Sequence, residues 1–94
     1  MPKTKHEQTW VIAQTIHPYG EMPPSVHYLI EFMMGRALSP GEASLHQRLC
    51  ASDLATQHPE VADRRYARTT DDPTEWMRDL SDRFGPSLKV EARH

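Results

Sequence analysis

Prolines constrain the fold of this 94-residue chain more than any other feature, because eight of them divide it into short segments. Proline fits the first turn of a helix, where its missing N–H costs nothing, and it disrupts a helix interior. The residue before a proline also avoids the helical conformation. Pro24, Pro40 and Pro73 each open a segment with apolar residues at helical spacing. The chain is therefore predicted to consist mainly of short helices that begin at these prolines.

Three main helices are predicted over residues 24–37, 40–57 and 73–84, with a shorter one over residues 59–67. Ser39 and Glu42 have the spacing of a capping box at the start of the second main helix. The apolar stripe predicted for that helix includes Leu45, Leu49 and Leu54. Each helix is thus expected to bury one face against the others.

The two ends of the chain have the composition of strands. Residues 9–16 are rich in β-branched and aromatic side chains, and residues 87–93 alternate apolar and polar side chains. These two segments are predicted to pair, which gives a helix-dominated α+β domain. Thr4 and Glu7 also have the spacing of a capping box, so a helix over residues 5–16 and an all-α fold remain the alternative.

The length is that of a single small domain, in which residues 1–8 and 93–94 are expected to be flexible. Acidic and basic residues nearly balance at 13 and 11. The mean hydropathy of −0.72 and the short apolar runs argue against a transmembrane segment, so no membrane partner is expected. The start of the chain lacks the apolar region of a secretory signal, and one cysteine cannot form an internal disulfide. These features predict a cytoplasmic protein.

The sequence carries no recognisable catalytic motif. Phosphate-binding glycine loops, nucleophile elbows and zinc-protease motifs do not occur in it. His46 and Cys50 lie four residues apart on one predicted helix, but a structural zinc site needs four ligands. Cys50 lies in mid-helix and is predicted to be a buried, unreactive thiol. We therefore expect a non-enzymatic protein without cofactor or metal, and the sequence leaves open whether His46 and Cys50 ever bind a metal.

Within the predicted helix 24–37, residues 26–37 are more apolar than a surface helix needs to be. Four of its side chains are predicted to contact a partner: Tyr28, Phe32, Met33 and Met34. Aromatic and methionine side chains are enriched in protein interfaces, and methionine adapts its shape to different surfaces. The leading hypothesis is an adaptor, modulator or inhibitor that binds either another protein or a second copy of this chain as a homodimer.

The alternative hypothesis is a nucleic-acid-binding or regulatory protein. Arg64, Arg65, Tyr66 and Arg68 form a basic cluster in which one aromatic ring lies among three guanidinium groups. Such side chains can contact phosphates and stack on bases. Acidic residues on both sides weaken the field of the cluster, and the chain lacks the basic balance typical of nucleic-acid binders. This hypothesis therefore ranks second.

Overall fold

The computed structural model describes residues 3–93, which fold into four α-helices, one 3-10 turn and a two-stranded sheet. In chain order the elements are β1 (Thr4–Gln8), α1 (Thr9–Ile16), α2 (Pro24–Met34), α3 (Pro40–Gln57), the 3-10 turn (Arg64–Tyr66), α4 (Thr74–Phe84) and β2 (Ser87–Glu91). The predicted helix-dominated α+β class is confirmed, and the all-α alternative is wrong. Residues 1, 2 and 94, part of the ends expected to be flexible, lie outside the described residues.

Residues 9–16 form helix α1, so the strand predicted there is wrong, and the alternative of a helix over residues 5–16 is confirmed for this part. The three predicted main helices thus become four. Val11, Ile12 and Ala13 are all buried, and α1 packs against α2, α3 and α4. A helix enclosed on most sides carries apolar residues around its circumference, so it lacks the usual amphipathic spacing. The Thr15 hydroxyl donates a hydrogen bond of 2.8 Å to the carbonyl of Val11, one turn earlier. Tertiary packing has overridden the strand propensity of these side chains.

The N-terminal strand is the polar segment that precedes α1. β1 pairs antiparallel with β2, with Thr4 opposite Glu91 and Gln8 opposite Ser87. The predicted C-terminal strand is therefore confirmed, whereas its partner lies earlier in the chain than predicted. Backbone hydrogen bonds hold β1 to β2, and they do not require apolar side chains. The polar residues of β1 therefore lack the alternation of apolar and polar side chains from which a strand is predicted.

Side chains from the end of α3 cover the outer edge of β2. The Gln57 amide donates to the carbonyl of Glu91 at 3.0 Å and accepts from its N–H at 2.9 Å. The His58 Nε2 lies 2.6 Å from the carbonyl of Lys89, to which it donates. Unpaired strand edges invite association with other chains, and these two side chains occupy the place of a third strand.

The helix ends follow local sequence signals. The predicted limits of α3 are confirmed, and its capping box is complete. The Ser39 hydroxyl accepts from the N–H of Glu42 at 3.2 Å, and the Glu42 carboxylate accepts from the N–H of Ser39 at 3.1 Å. α2 ends at Met34, three residues earlier than predicted, because Gly35 adopts the left-handed conformation with φ 76°.

The helix predicted over residues 59–67 is reduced to the 3-10 turn Arg64–Tyr66. Asp63 has an extended backbone, and its carboxylate accepts an N–H of the turn, so a new turn begins there. α4 begins one residue later than predicted. Asp72 stabilises this start, because its Oδ1 accepts both the N–H and the hydroxyl of Thr74, at 3.0 and 2.7 Å.

One core surrounds α1 and draws on every α-helix and on β2. Its buried side chains are Val11, Ile12, Ala13, Val26, Leu29, Ile30, Met33, Leu38, Ala43, Cys50, Leu54, Val61, Leu80 and Val90. Between residues 3 and 93, no helix combines the length and the hydrophobicity needed to cross a membrane. The core faces of α2 and α3 meet α1, and their other faces remain available for a functional site.

Candidate functional site

The structure separates the four side chains that were predicted to form a contact surface on α2. Met33 lies in the core, and Met34 packs against the core from its edge. The Phe32 ring is half-buried beneath the Lys5 ammonium, 5.0 Å from the ring centroid. Tyr28 is different, because 65% of it is exposed. Of the predicted set, Tyr28 is therefore the side chain that is open to a partner.

Tyr28 forms part of the wall of a groove along one flank of α3. The wider end of this groove has a volume of about 410 Å³ and is lined by Met22, Pro24, His27, Tyr28, Pro40 and Ser44. The other end has a volume of about 340 Å³ and is lined by Thr15, Ile16, Pro18, Ser44, Gln47, Arg48 and Ala51. Because Ser44 lines both ends, we treat them as one site, the α3 groove.

Helical spacing explains why α3 can wall the whole groove. Its groove residues are Pro40, Ser44, Gln47, Arg48 and Ala51, which recur every three or four positions and so share one flank. A rise of 1.5 Å per residue from the first to the last gives a length of about 16 Å. The stretch of α3 that lines the two cavities is thus as long as several residues of an extended chain.

The opposite wall is the turn after α1, which is held in place at several points. Gly20 supplies a positive φ of 64°, which the turn requires. His17 Nε2 lies 3.1 Å from the carbonyl of Val61, to which it donates. The Tyr19 hydroxyl donates to the Asp71 carboxylate at 2.7 Å, and this hydrogen bond raises the pKa of Tyr19. The turn therefore presents Met22 to the groove in a defined position.

The wall contributed by α2 is also fixed by polar contacts. His27 Nε2 lies 2.9 Å from the carbonyl of Leu38 and donates to it, because a carbonyl can only accept. The Glu31 carboxylate accepts the N–H of Leu38 at 2.7 Å and lies 3.5 Å from His27 Nε2. These contacts connect α2 to the segment leading into α3, so both walls of the wider end belong to one rigid unit.

A third, smaller cavity next to these two is lined by an unusual polar group. Gln14 is only 2% exposed, and its Nε2 donates to the carbonyl of Tyr19 at 2.9 Å. Its Oε1 has no hydrogen-bond partner among residues 3–93. Gln14 lines a small cavity of about 20 Å³ together with Gln47, Met22 and Pro18, which also line the larger cavities. Sequence reasoning missed Gln14, although a glutamine inside an apolar run is a signal that could have identified it.

Two leucines of α3 point away from the core. Leu45 and Leu49 were predicted to share the buried stripe with Leu54, but they are 81% and 41% exposed. The nine residues from Leu45 to Leu54 correspond to about two and a half helical turns, which places them on opposite faces. The outer face of α3, next to the groove, therefore carries exposed apolar surface.

The arginine cluster is largely satisfied by nearby acceptors. Arg65 forms an ion pair with Asp63 at 3.3 Å, and the hydrogen bond from the Arg65 N–H lowers the pKa of Asp63. Arg68 donates to the carbonyl of Thr70 at 2.7 Å and stacks over the ring of Tyr19, with 4.4 Å between guanidinium and centroid. Two of the three guanidinium groups are thus engaged within the chain.

The other two members of the cluster differ in exposure. Arg64 is exposed and makes no ion pair within residues 3–93. Tyr66 is half-buried, with its ring edge-on to Phe84 at 5.0 Å and its carbonyl accepting from the Trp76 indole at 2.7 Å. The Tyr66 ring therefore helps to attach the 3-10 turn to α4, and it offers little free face to a base.

His46 and Cys50 do not come together with further ligands. Cys50 is buried, as predicted, whereas His46 is half-buried on the same helix. Across residues 3–93, no three His, Cys, Asp or Glu side chains lie close enough together to hold a metal ion. Burial raises the pKa of Cys50 to about 11, so its thiol stays protonated at neutral pH.

No protein-family model, no curated protein and no solved structure matches it.

Proposed function

We propose that this chain is a small, non-enzymatic interaction protein that binds a segment of another protein in the α3 groove. The observation that supports the proposal best is the exposed Tyr28 in the wall of the wider end of the groove, which has a volume of about 410 Å³. Tyrosine combines a large contact area with few rotatable bonds, and it is enriched where partners bind. The neighbouring methionine and prolines provide apolar contact surface.

Charge and polarity limit which partner fits the groove. The wider end is mostly apolar and suits an aliphatic or aromatic side chain. The other end is lined by Arg48, which is exposed and forms no ion pair with any residue between 3 and 93. We therefore infer a peptide segment that carries an apolar side chain and, a few residues away, a carboxylate. An adaptor, modulator or inhibitor acting in the cytoplasm is consistent with such binding.

A selection from a phage-displayed library of short peptides tests this proposal. The peptides that bind immobilised protein are expected to combine apolar residues with Asp or Glu. Amide chemical shifts of the labelled protein should then change at Tyr28, Ser44 and Arg48 when such a peptide is added. Ser44→Glu should weaken binding at least about tenfold, because the new side chain fills the groove and pairs with Arg48 one turn later.

Ser52→Glu is the matched control for this substitution. Ser52 is also exposed on α3, but it does not line the groove. The selected peptides should bind this variant as tightly as they bind the unchanged protein. Equal binding to the Ser44→Glu variant, or shift changes that map to another surface, would contradict the proposal.

A second copy of the chain is the alternative occupant. Sedimentation equilibrium separates the two cases, because a monomer has a mass of 10.8 kDa. A mass near twice this value would indicate a homodimer. If Tyr28→Glu then lowers the mass to that of the monomer, the groove binds a second copy of the chain instead of a peptide. Nucleic acid is a less favoured partner, since Arg65 and Arg68 are engaged within the chain.

A further inference from the structure

The two edges of the sheet differ in how they are covered. Gln57 and His58 form hydrogen bonds along the outer edge of β2. At the outer edge of β1, Thr4 and His6 are exposed, and no side chain between residues 3 and 93 forms a hydrogen bond with their backbone. An open edge is a template on which another chain can pair. The sheet therefore offers β1, and not β2, to a further strand.

The ladder between β1 and β2 determines which backbone groups lie on the open edge. The Lys3 carbonyl accepts from the N–H of Ala92 at 2.8 Å, and the Thr9 N–H donates to the Pro86 carbonyl at 3.2 Å. Because residues of an antiparallel strand alternate between its two sides, the odd-numbered residues of β1 face β2. The even-numbered residues, with His6 at their centre, direct their N–H and carbonyl groups outward.

The charges of β1 make this strand complementary to itself. Lys5 and Glu7 lie on one face of the strand and form an ion pair at 3.1 Å. When two copies of β1 pair antiparallel with His6 opposite His6, each Lys5 lies opposite the Glu7 of the other copy. The two His6 residues then exchange hydrogen bonds between their N–H and carbonyl groups. Opposite charges across a strand pair stabilise it, and like charges destabilise it.

Other registers satisfy fewer of these groups. A shift by two residues places either the two Lys5 side chains or the two Glu7 side chains opposite each other. A shift by one residue places outward-facing backbone groups opposite groups that face β2. The charges and the backbone of β1 therefore favour the same register, the one centred on His6.

We propose that β1 pairs antiparallel with the β1 of a second copy, which joins the two sheets into one sheet of four strands. A two-stranded sheet has little stability of its own and gains from additional strands. The outer edges of the joined sheet are those of β2, which Gln57 and His58 cover, so the assembly ends at two copies. No residue of β1 lines the α3 groove, so the dimer carries two grooves.

Sedimentation equilibrium tests whether the dimer forms. β1 has only five residues, so the interface is small and the association is expected to be weak. At protein concentrations up to about 1 mM, the mass should rise from 10.8 kDa towards twice this value. Tyr28→Glu should leave this rise unchanged, because Tyr28 lines the groove. A dimer that Tyr28→Glu abolishes would place the interface in the groove and overturn the proposal.

Charge substitutions test the register. Glu7→Lys leaves two lysines in β1 and Lys5→Glu leaves two glutamates, so each variant alone should dimerise at least about tenfold more weakly. An equimolar mixture of the two variants restores both pairs of opposite charge and should associate as strongly as the unchanged protein. Mixing would not rescue variants that had merely misfolded.

His6→Pro tests the backbone contribution. It removes the outward N–H at the centre of the interface, where an edge strand tolerates proline, and should abolish the dimer. His6→Ala is the matched control, because it keeps the N–H and should dimerise. The proposal is wrong if the unchanged protein remains a monomer, if both charge variants still dimerise, or if their mixture stays monomeric. If His6→Pro does not fold, the mixture decides the question.

Discussion

Cys50 is a core residue whose pKa depends on its burial. It lies on the inner face of α3 with no exposed surface. Removal from water and, to a smaller extent, the charge of Asp53 raise the pKa of its thiol to about 11, and Arg93 partly opposes this change. A thiolate is therefore almost absent in the folded protein at neutral pH, and the side chain acts as a small apolar residue.

This pKa predicts a loss of stability at high pH. Unfolding exposes the thiol, which then ionises near pH 9, whereas in the folded protein it ionises near pH 11. Between these values the unfolded chain binds fewer protons, so the free energy of unfolding falls as the pH rises, in total by on the order of 2 kcal/mol. Urea titrations at pH 8 to 11 should show this fall.

Cys50→Ala is the control for the high-pH measurement. It removes the thiol, whereas the Tyr19–Asp71 hydrogen bond, which also raises a pKa, remains in both proteins. The variant should therefore lose less stability over the same range. Parallel curves for the two proteins would show that Cys50 does not carry the effect.

Helix α3 begins at a capping box, and its inner and outer faces differ in burial. The capping box at Ser39 and Glu42 satisfies N–H groups that a helix start leaves open. The hydrogen bond from the Ser39 N–H, followed by that from Arg36, lowers the pKa of Glu42. The inner face then builds the core, and the flank and the outer face remain available to partners.

Removal of the cap should destabilise the protein modestly. Ser39→Ala is expected to lower the free energy of unfolding by about 1 kcal/mol, because the N–H of Glu42 loses its acceptor. Chemical denaturation measures this difference. Ser52→Ala, an exposed position within the same helix, should change stability by no more than about 0.5 kcal/mol. Equal effects of the two substitutions would argue that the cap contributes nothing.

Replacing leucine by alanine should have a large effect on the stability of the protein at the inner face of α3 and a small effect at its outer face. Leu54→Ala should cost about 2–5 kcal/mol, because it leaves a cavity in the core. Leu45→Ala should cost less than about 0.5 kcal/mol, because that side chain is 81% exposed. Thermal or urea unfolding compares them directly. A large loss from Leu45→Ala would mean that the outer face of α3 is covered in the native protein, as in a homodimer.

In the molecule as a whole, the strands at the two ends of the described chain pair and complete one side of the core. β1 and β2 pair across almost the full length of the sequence, and Val90 of β2 is buried. The start of α1 is attached to the same region, because the Thr9 N–H and hydroxyl donate to the carbonyls of Pro86 and Gly85, at 3.2 and 2.6 Å. The helices therefore depend on the sheet although only two strands form it.

A change in the sheet should consequently unfold the helices. Val90→Asp places an unpaired charge in the core, which costs several kcal/mol and exceeds what a domain of this size tolerates. Far-UV circular dichroism should show loss of helix signal at 25 °C. Lys89→Asp, on the exposed face of the same strand, should retain it. A Val90→Asp variant with full helix signal would show that the helices fold without the sheet.

The sequence predictions were accurate where the deciding interactions lie between residues close together in the chain. Prolines, the Ser39–Glu42 box and Asp72 act within one turn, so the starts of α2, α3 and α4 were predicted to within a residue. Tyr28 was predicted to contact a partner and is exposed, but Phe32 and Met33, which were predicted to lie on the same surface, are half-buried and buried. Whether such side chains are covered depends on distant elements, and apolar composition alone does not reveal it.

The sequence by itself thus determined where most helices begin and end, and that they dominate the fold, because capping and proline geometry are local. Tertiary structure decided that residues 9–16 form a helix, since only enclosure by three other helices satisfies their apolar side chains. It also decided the α3 groove and the burial of Gln14. Both arise where α1, α2, α3 and a turn meet, and contacts between residues far apart in the chain bring these elements together.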